Sequence, residues 1–385
     1  SAVKRGAGAI AAPPPPARPL WVAWLPVAVA AAVLLLEFLA VNAEPVRRSD
    51  EAVNWAAKAK VLFGAPGFAI KDGLDFFVQH PDYPLFNPLV QAFSFAANGR
   101  ILHFENRLPV QCFGIALLLL LSASLTRRAH PMMAALCLLA FAGTSFASMA
   151  STAYADVMLA CSAFAVAEAL LRGLETGERG FWRVACIALA AAISCKNEGA
   201  LLAIVLAVPF AARWVMRHGR GALRSVPWRE APWLLVPLGA LALHRGFNSH
   251  FGIRNDLFDP SIAQGRGLFG RVLDQLGTYG PDVLGYYGRM LVDPPMHRLL
   301  PLLFVLAAPA ALLLRRRAWL GGAGGLAFVA FAGATLGYML VFVGTIYDLT
   351  WHLDVAADRT VQHVLPIAAL GLAVTAWPRD DAVLS

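Results

Sequence analysis

The sequence predicts an all-α membrane protein of about ten membrane-crossing helices, with an outer-side loop containing interfacial helices. Three observations carry that prediction. Of the 385 residues, 58% are hydrophobic and only 15% charged, where a soluble domain averages about 25% charged; mean hydropathy is +0.61. Apolar stretches long enough to cross a bilayer at ~1.5 Å per residue recur along the chain. The ionisable residues gather between those stretches. A water-soluble fold would have too little polar surface to hide such a core, whereas lipid covers apolar faces directly.

Residues 1–19 hold the run Pro13 to Pro16 with Lys4, Arg5 and Arg18, and read as a disordered basic, cytoplasmic tail. The membrane domain then runs over 20–378. Its spans fall at 20–42, 107–126, 131–150, 155–172, 182–195, 198–215, 231–246, 299–314, 319–345 and 361–377. The fifth is short, and the ninth is long enough to tilt or break near its glycines. The first resembles a signal sequence ending at Val41-Asn42-Ala43, but its apolar stretch exceeds a signal core, so it reads as a retained helix. Residues 379–385 form a short cytoplasmic tail.

Orientation follows from the basic residues of short loops. A cytoplasmic N-terminus places Arg127, Arg128, Arg172, Arg179, Arg183, the arginines from Arg213 to Arg229, and Arg315 to Arg317 inside. The short outer turns then keep only Lys196 and Arg359. Long outer loops at 44–107 and 247–298 are largely exempt from the rule. Most carboxylates fall on the outer side, which therefore reads as a polar working face. The net charge of +8 is dispersed between apolar runs, so it anchors the chain to membrane lipids and does not form a nucleic-acid stripe. The five cysteines lie in or beside apolar segments without metal-site spacing, and read as small buried hydrophobes.

The first outer loop opens with Ser49-Asp50-Glu51. Ser49 suits a helix cap, and two carboxylates suit a first helical turn. The same two acids could also supply a general base or hold a divalent metal. Ala52, Trp55 and Ala59 would line one face of an interfacial helix. Further on, three prolines in His80-Pro81-Asp82-Tyr83-Pro84-Leu85-Phe86-Asn87-Pro88 hold His80, Asp82 and Tyr83 in fixed directions. Asp156 stands just inside the outer end of the fourth span, where an ionisable group is either a helix cap or a functional residue. Lys196, in Lys196-Asn197-Glu198-Gly199, suits an anionic headgroup or simple snorkelling. Arg359 and His363, four apart before the last span, share a helical face, and Arg matches phosphate oxygens in pairs.

These residues resemble those of the polytopic, lipid-phosphosugar-dependent glycosyltransferases of the GT-C class, in particular the branch of protein O-mannosyltransferases and the lipid A aminoarabinose transferase. The matching pieces are Asp50-Glu51 with Trp55 and Lys58-Ala59-Lys60, then His80-Pro81-Asp82-Tyr83-Pro84-Leu85, Tyr154-Ala155-Asp156, Lys196-Asn197-Glu198-Gly199, and Arg359 with Gln362-His363. The resemblance implies a bacterial inner-membrane enzyme whose termini are cytoplasmic and whose site faces the periplasm. It would move a sugar from a polyprenyl-phosphate donor to an acceptor the sequence does not name, with inversion. Asp50, or Glu51, would be the base, and Asp156 the second acid. Asp50 and Asp156 would be the place for a divalent metal, should one be used. His80, Asp82, Tyr83, Lys196, Glu198, Arg359 and His363 would contact substrate, with Lys196 and Arg359 on the donor phosphate.

The sequence departs from the family in two respects. Relatives often carry Lys-Pro-Pro where this chain has His80-Pro81-Asp82-Tyr83-Pro84, and only a short tail follows the last span where they have a large soluble domain. A transporter or flippase for a lipid-linked or anionic solute is the alternative reading; it calls for charges at the membrane midplane, where the spans offer little beyond Glu37.

Overall fold

A computed structural model describes residues 20–46, 50–64, 70–225, 228–255, 265–292 and 299–379. Among these residues the regular elements are helices, and extended backbone pairs at an isolated bridge between Ala129 and Pro378. The first span is α1 (Leu20–Asn42). A π-helical turn (Glu51–Ala56) runs into α2 (Ala57–Phe63), and α3 (Ile70–Phe77) and α4 (Phe86–Asn98) complete the first outer loop. Then come α5 (Leu108–Arg128), α6 (Pro131–Ala142), α7 (Phe146–Ala150), α8 (Ala155–Thr176), α9 (Gly180–Cys195) and α10 (Glu198–His218). The second half holds α11 (Ala222–Ser225), α12 (Leu235–His250), α13 (Leu268–Val292), α14 (Leu299–Gly321), α15 (Ala323–Val343) and α16 (Leu349–Ala376). The chain is thus the all-α, multi-pass membrane protein its composition predicts.

Among the described residues, five helical segments are long and apolar enough to cross a membrane: Trp24–Asn42, Glu105–Arg128, Ala155–Thr176, Glu198–Gly221 and Ala323–Val343. Helix α6, helix α9 and the segment Leu299–Leu314 are apolar but shorter. Three expected boundaries move. The span 131–150 is broken after Ala142, where Thr144 donates its hydroxyl to Phe141 O (2.6 Å) and accepts from Phe146 N (3.1 Å) to start α7. The run Arg315 to Arg317 lies within α14, and the chain turns at Gly321 and Gly322. The loop 247–298 contains the 25-residue helix α13. Arg271, Asp274, Asp282 and Arg289 hide that helix from a hydropathy reading, yet its apolar residues split into two faces. Val272, Val283, Tyr287 and Met290 are buried, while Phe269, Leu273, Leu276 and Leu284 point outward. Arg271 secures the inner face by donating to Gly344 O (2.8 Å), and Tyr287 bonds Thr360 on α16 (3.1 Å).

Helix α8 is almost wholly buried and packs against α5, α9, α10 and α16. Its alanines, and those of α9, let backbones approach closely, which is how helices associate where lipid removes the hydrophobic drive between them. At one end of the bundle Arg128 donates to Glu168 (2.6 and 3.2 Å) and Glu175 (2.6 and 3.0 Å) on α8. There too His130 N bonds Trp377 O at 2.9 Å. The segment from the π-helical turn through α4 covers the opposite end. Its second helix does not lie loose on a surface: Ala59 packs with Ala92, Phe95 and Leu102 of the α4 region. Val61, Leu74 and Val78 meet Phe247 and Ile253, so the first loop clasps the start of the second. Ser49, expected as a cap, lies outside the described residues.

Candidate functional site

The site is built on a short stretch of chain held from three directions. Gln111 donates to Ser151 O (2.7 Å), Asn87 donates to Ala153 O (2.9 Å), and Glu51 accepts from Ala153 N (2.7 Å). This fixes the entry to α8, whose first turn carries Asp156, where a carboxylate is favoured by the helix dipole. Asp156 is fully buried. Its Oδ1 accepts from Lys196 Nζ (3.1 Å) and His363 Nε2 (2.8 Å), and its Oδ2 from Arg359 Nη2 (2.9 Å). Behind it, His363 Nδ1 meets the Tyr338 hydroxyl at 2.9 Å. Because the ionised Asp156 accepts from Nε2–H, Nδ1 of a neutral imidazole is the acceptor and Tyr338 the donor.

Arg359 links this acid to the first loop. Its Nη1 is paired with Asp50 Oδ2, while its Nη2 holds Asp156. The Tyr154 ring lies 4.8 Å from the guanidinium carbon, within cation–π reach. Arg359 Nε is buried without a hydrogen-bond partner. Asp50 Oδ1 accepts from Asn54 (2.7 Å), whose own Oδ1 accepts from His80 N (2.9 Å). Asp50 and Arg359 are each about a quarter exposed, at 25% and 24%, whereas Asp156 is closed off.

Lys196 sits in the turn between α9 and α10. Burial alone would lower its pKa, but Asp156 and Glu198 (3.2 Å) outweigh burial and raise it, so the ammonium persists. The turn is tight. A Cβ at Gly199 would stand 1.9 Å from Ala192 O, so only glycine fits where α10 leaves α9.

The structure sorts the other sequence candidates. Glu51, read as an alternative base, is fully buried and accepts from Arg107 Nε (2.7 Å) and Nη2 (3.0 Å). Arg107 also donates to Val41 O and Glu44 O (2.9 and 2.6 Å). That geometry makes Glu51 a clamp that joins α1, α5 and the entry to α8, and leaves Asp50 as the acid presented to the site. Asp82, read as a substrate contact, is also buried. It accepts from Asn197 (2.7 Å) and Asn255 (2.6 Å), so it ties the first loop to the Lys196 turn and to the second loop. His80 stacks on Tyr83, and Tyr83 on Trp55, with centroids 5.1 and 5.2 Å apart. The Tyr83 ring reaches within 6.0 Å of Lys196 Nζ. Burial, with Glu198, Asp50 and Asp82 nearby, pushes its hydroxyl well above the ordinary tyrosine pKa. His363 is buried behind Asp156, not open to a ligand.

Sequence reasoning missed Tyr338, Asn54 and Arg107, and quoted Lys58 without giving it a role. Lys58 is 1% exposed and donates to Pro81 O (2.6 Å) and Tyr83 O. Burial lowers its pKa to about 7, against a smaller opposing effect of Asp82. A lysine on the covered face of the loop helix was the available signal. Tyr338 had a weaker one, a single tyrosine in an apolar span.

As arranged, the acids do not fit a divalent ion. Among the described residues no three His, Cys, Asp or Glu side chains converge as metal ligands. Asp50 and Asp156 are bridged by Arg359, and Lys196 and His363 occupy Oδ1 of Asp156. A cation there would stand among basic groups.

Comparison with known proteins finds likeness in fold. No family model matches the chain, and no curated protein does. The crystal structure of ArnT from Cupriavidus metallidurans bound to undecaprenyl phosphate aligns with 93% of this chain at 18% identity, with a TM-score of 0.57. The chain covers 60% of that protein's length. The apo structure of the same ArnT aligns with 91% of the chain at 16% identity, with a TM-score of 0.46. The chain therefore shares the all-α, polytopic GT-C fold.

Proposed function

We propose that the protein is an inverting glycosyltransferase that moves a sugar from a polyprenyl-phosphate donor to an acceptor on the non-cytoplasmic side of a bacterial inner membrane. One observation carries this reading: Asp50, Arg359, Asp156 and Lys196, from four separate elements, form one connected acid–base lattice at a single end of the bundle. Undecaprenyl phosphate in the ArnT structure of like fold supports the choice of donor.

In this reading the acceptor O–H or N–H gives its proton to Asp50 while its oxygen or nitrogen attacks the anomeric carbon. The bond from that carbon to the phosphate oxygen breaks, and its electron pair stays on the leaving polyprenyl phosphate. Arg359 and Lys196 offset the charge that builds there, in a site where water is largely excluded. A positioned base contributes ~10²–10⁴-fold and donor-directed cations a further share. Asp156 keeps both cations aimed at one place, and His363 with Tyr338 keeps Asp156 oriented. No step passes through a metal.

Between Asp156 and Glu168 the buried residues of α8 are apolar apart from Ser162, which disfavours a transport path for a charged solute. The test is transfer by the purified chain in nanodiscs, with undecaprenyl-phosphate-linked sugars and extracted envelope acceptors. Asp50→Asn should fold and bind donor yet transfer almost nothing. Normal turnover by that variant would remove the base assignment. For orientation, a cysteine at Ser261 should react with an impermeant thiol reagent in intact cells; labelling only after permeabilisation would reverse the topology.

A further inference from the structure

The cations that the proposed reaction needs for phosphate are already occupied. Arg359 spends one terminal nitrogen on Asp50 and the other on Asp156, and Lys196 is shared between Asp156 and Glu198. A donor phosphate can take the two terminal nitrogens of Arg359 as a pair only by replacing a carboxylate.

The two acids on Arg359 are not equally replaceable. Asp156 is fully buried, accepts three hydrogen bonds and stands at the head of the central helix. Asp50 is a quarter exposed and reaches Arg359 from the start of a π-helical turn, a one-residue widening of the helix. Away from Arg359 it would still keep its bond from Asn54. Arg359 Nε, buried and unpaired, is a further donor without an acceptor. An incoming donor phosphodiester carries two free oxygens and one negative charge, as a carboxylate does, so it can take the place of Asp50 on the planar guanidinium.

Resting on the glycosyl-transfer reading, we propose that the donor phosphate displaces Asp50 from Arg359, so that Asp50 becomes an effective base only in the donor-loaded enzyme. While Asp50 is paired, its Oδ2 faces Arg359 and its Oδ1 accepts from Asn54, so both oxygens are engaged. Displacement by the phosphate leaves Oδ2 free to take the acceptor's proton. Donor binding thus precedes acceptor deprotonation, and the empty enzyme keeps its base disarmed.

The consequence runs against intuition: a variant that cannot transfer sugar should hold the donor phosphate more tightly. The probe is undecaprenyl phosphate alone, titrated onto the full chain in nanodiscs for wild type, Asp50→Asn and Asp50→Ala. Removing a partly exposed competing ion pair should tighten binding by roughly three- to tenfold in both variants. Two different replacements guard against a fold defect in either, and each is checked by its thermal melting curve. If wild type binds the lipid and both variants bind equally or more weakly, the displacement idea fails while the donor reading stands. If wild type binds no undecaprenyl phosphate at all, the donor reading itself falls.

Discussion

Arg107 grips both carboxylate oxygens of Glu51 across 56 residues of sequence, with both side chains buried. The neighbouring acid, Asp50, faces Arg359 instead. One peptide bond separates a structural carboxylate from the proposed catalytic one. Their replacements should therefore separate cleanly. Glu51→Gln leaves a buried guanidinium without its charge partner, a defect that costs about 3–5 kcal/mol. The expected result is a large fall in melting temperature in detergent, with Asp50→Asn melting close to wild type. Equal melting of the two would remove the clamp role.

Gly199 sets the position of Lys196. With Ala192 O only 1.9 Å from where a Cβ would stand, Gly199→Ala must push α9 and α10 apart. Expected are loss of stability and a fall in transfer, because Lys196 loses its distance to Asp156. Wild-type melting and activity in this variant would show that the turn adapts freely.

Tyr338 acts on Asp156 only through His363. Tyr338→Phe removes one hydrogen bond, worth about 0.5–1.5 kcal/mol, which corresponds to roughly 2–12-fold in kcat. The donor KM should stay within twofold, roughly the scatter of such a measurement, and the pH–rate profile should shift, because the imidazole is no longer held in one tautomer. An unmoved pH profile would make Tyr338 mere packing.

Lys58 links pH to the order of the first loop. Its native pKa is about 7 against an ordinary 10.5. Between those values the unfolded chain binds the extra proton and the native protein does not, so this contribution to stability rises with pH over about 7 to 10.5 and is lowest below 7. Hydrogen exchange at residues 80–84 should slow relative to intrinsic rates across that window, and Lys58→Met should flatten the response. A slope that survives the replacement would point to another group.

The fold was legible because composition and the length of apolar runs are local properties. Likewise Arg359 and His363 fall on one face simply by their spacing. What escaped was whatever depends on a distant partner. Nothing in Asp50-Glu51 says which acid meets Arg107, since Arg107 follows a stretch without periodicity. The three-residue break before α7 and the amphipathic α13 were hidden in the same way, the one turning on a single threonine, the other interrupted by four charged residues that keep its mean hydropathy low.

Asp156 and Arg359 also lie 203 residues apart, while Lys196 follows Asp156 by only 40. A ribosome making ~5–20 residues per second delivers Lys196 within roughly 2–8 s of Asp156, and Arg359 only after about 10–40 s. During synthesis, then, the acid that ends up most deeply enclosed has Lys196 as its first cationic escort. In a chain lacking Lys196 that acid would wait for Arg359 over the whole interval, so the expected first readout of Lys196→Ala is the yield of protein in the membrane fraction; a yield equal to wild type would remove the escort role.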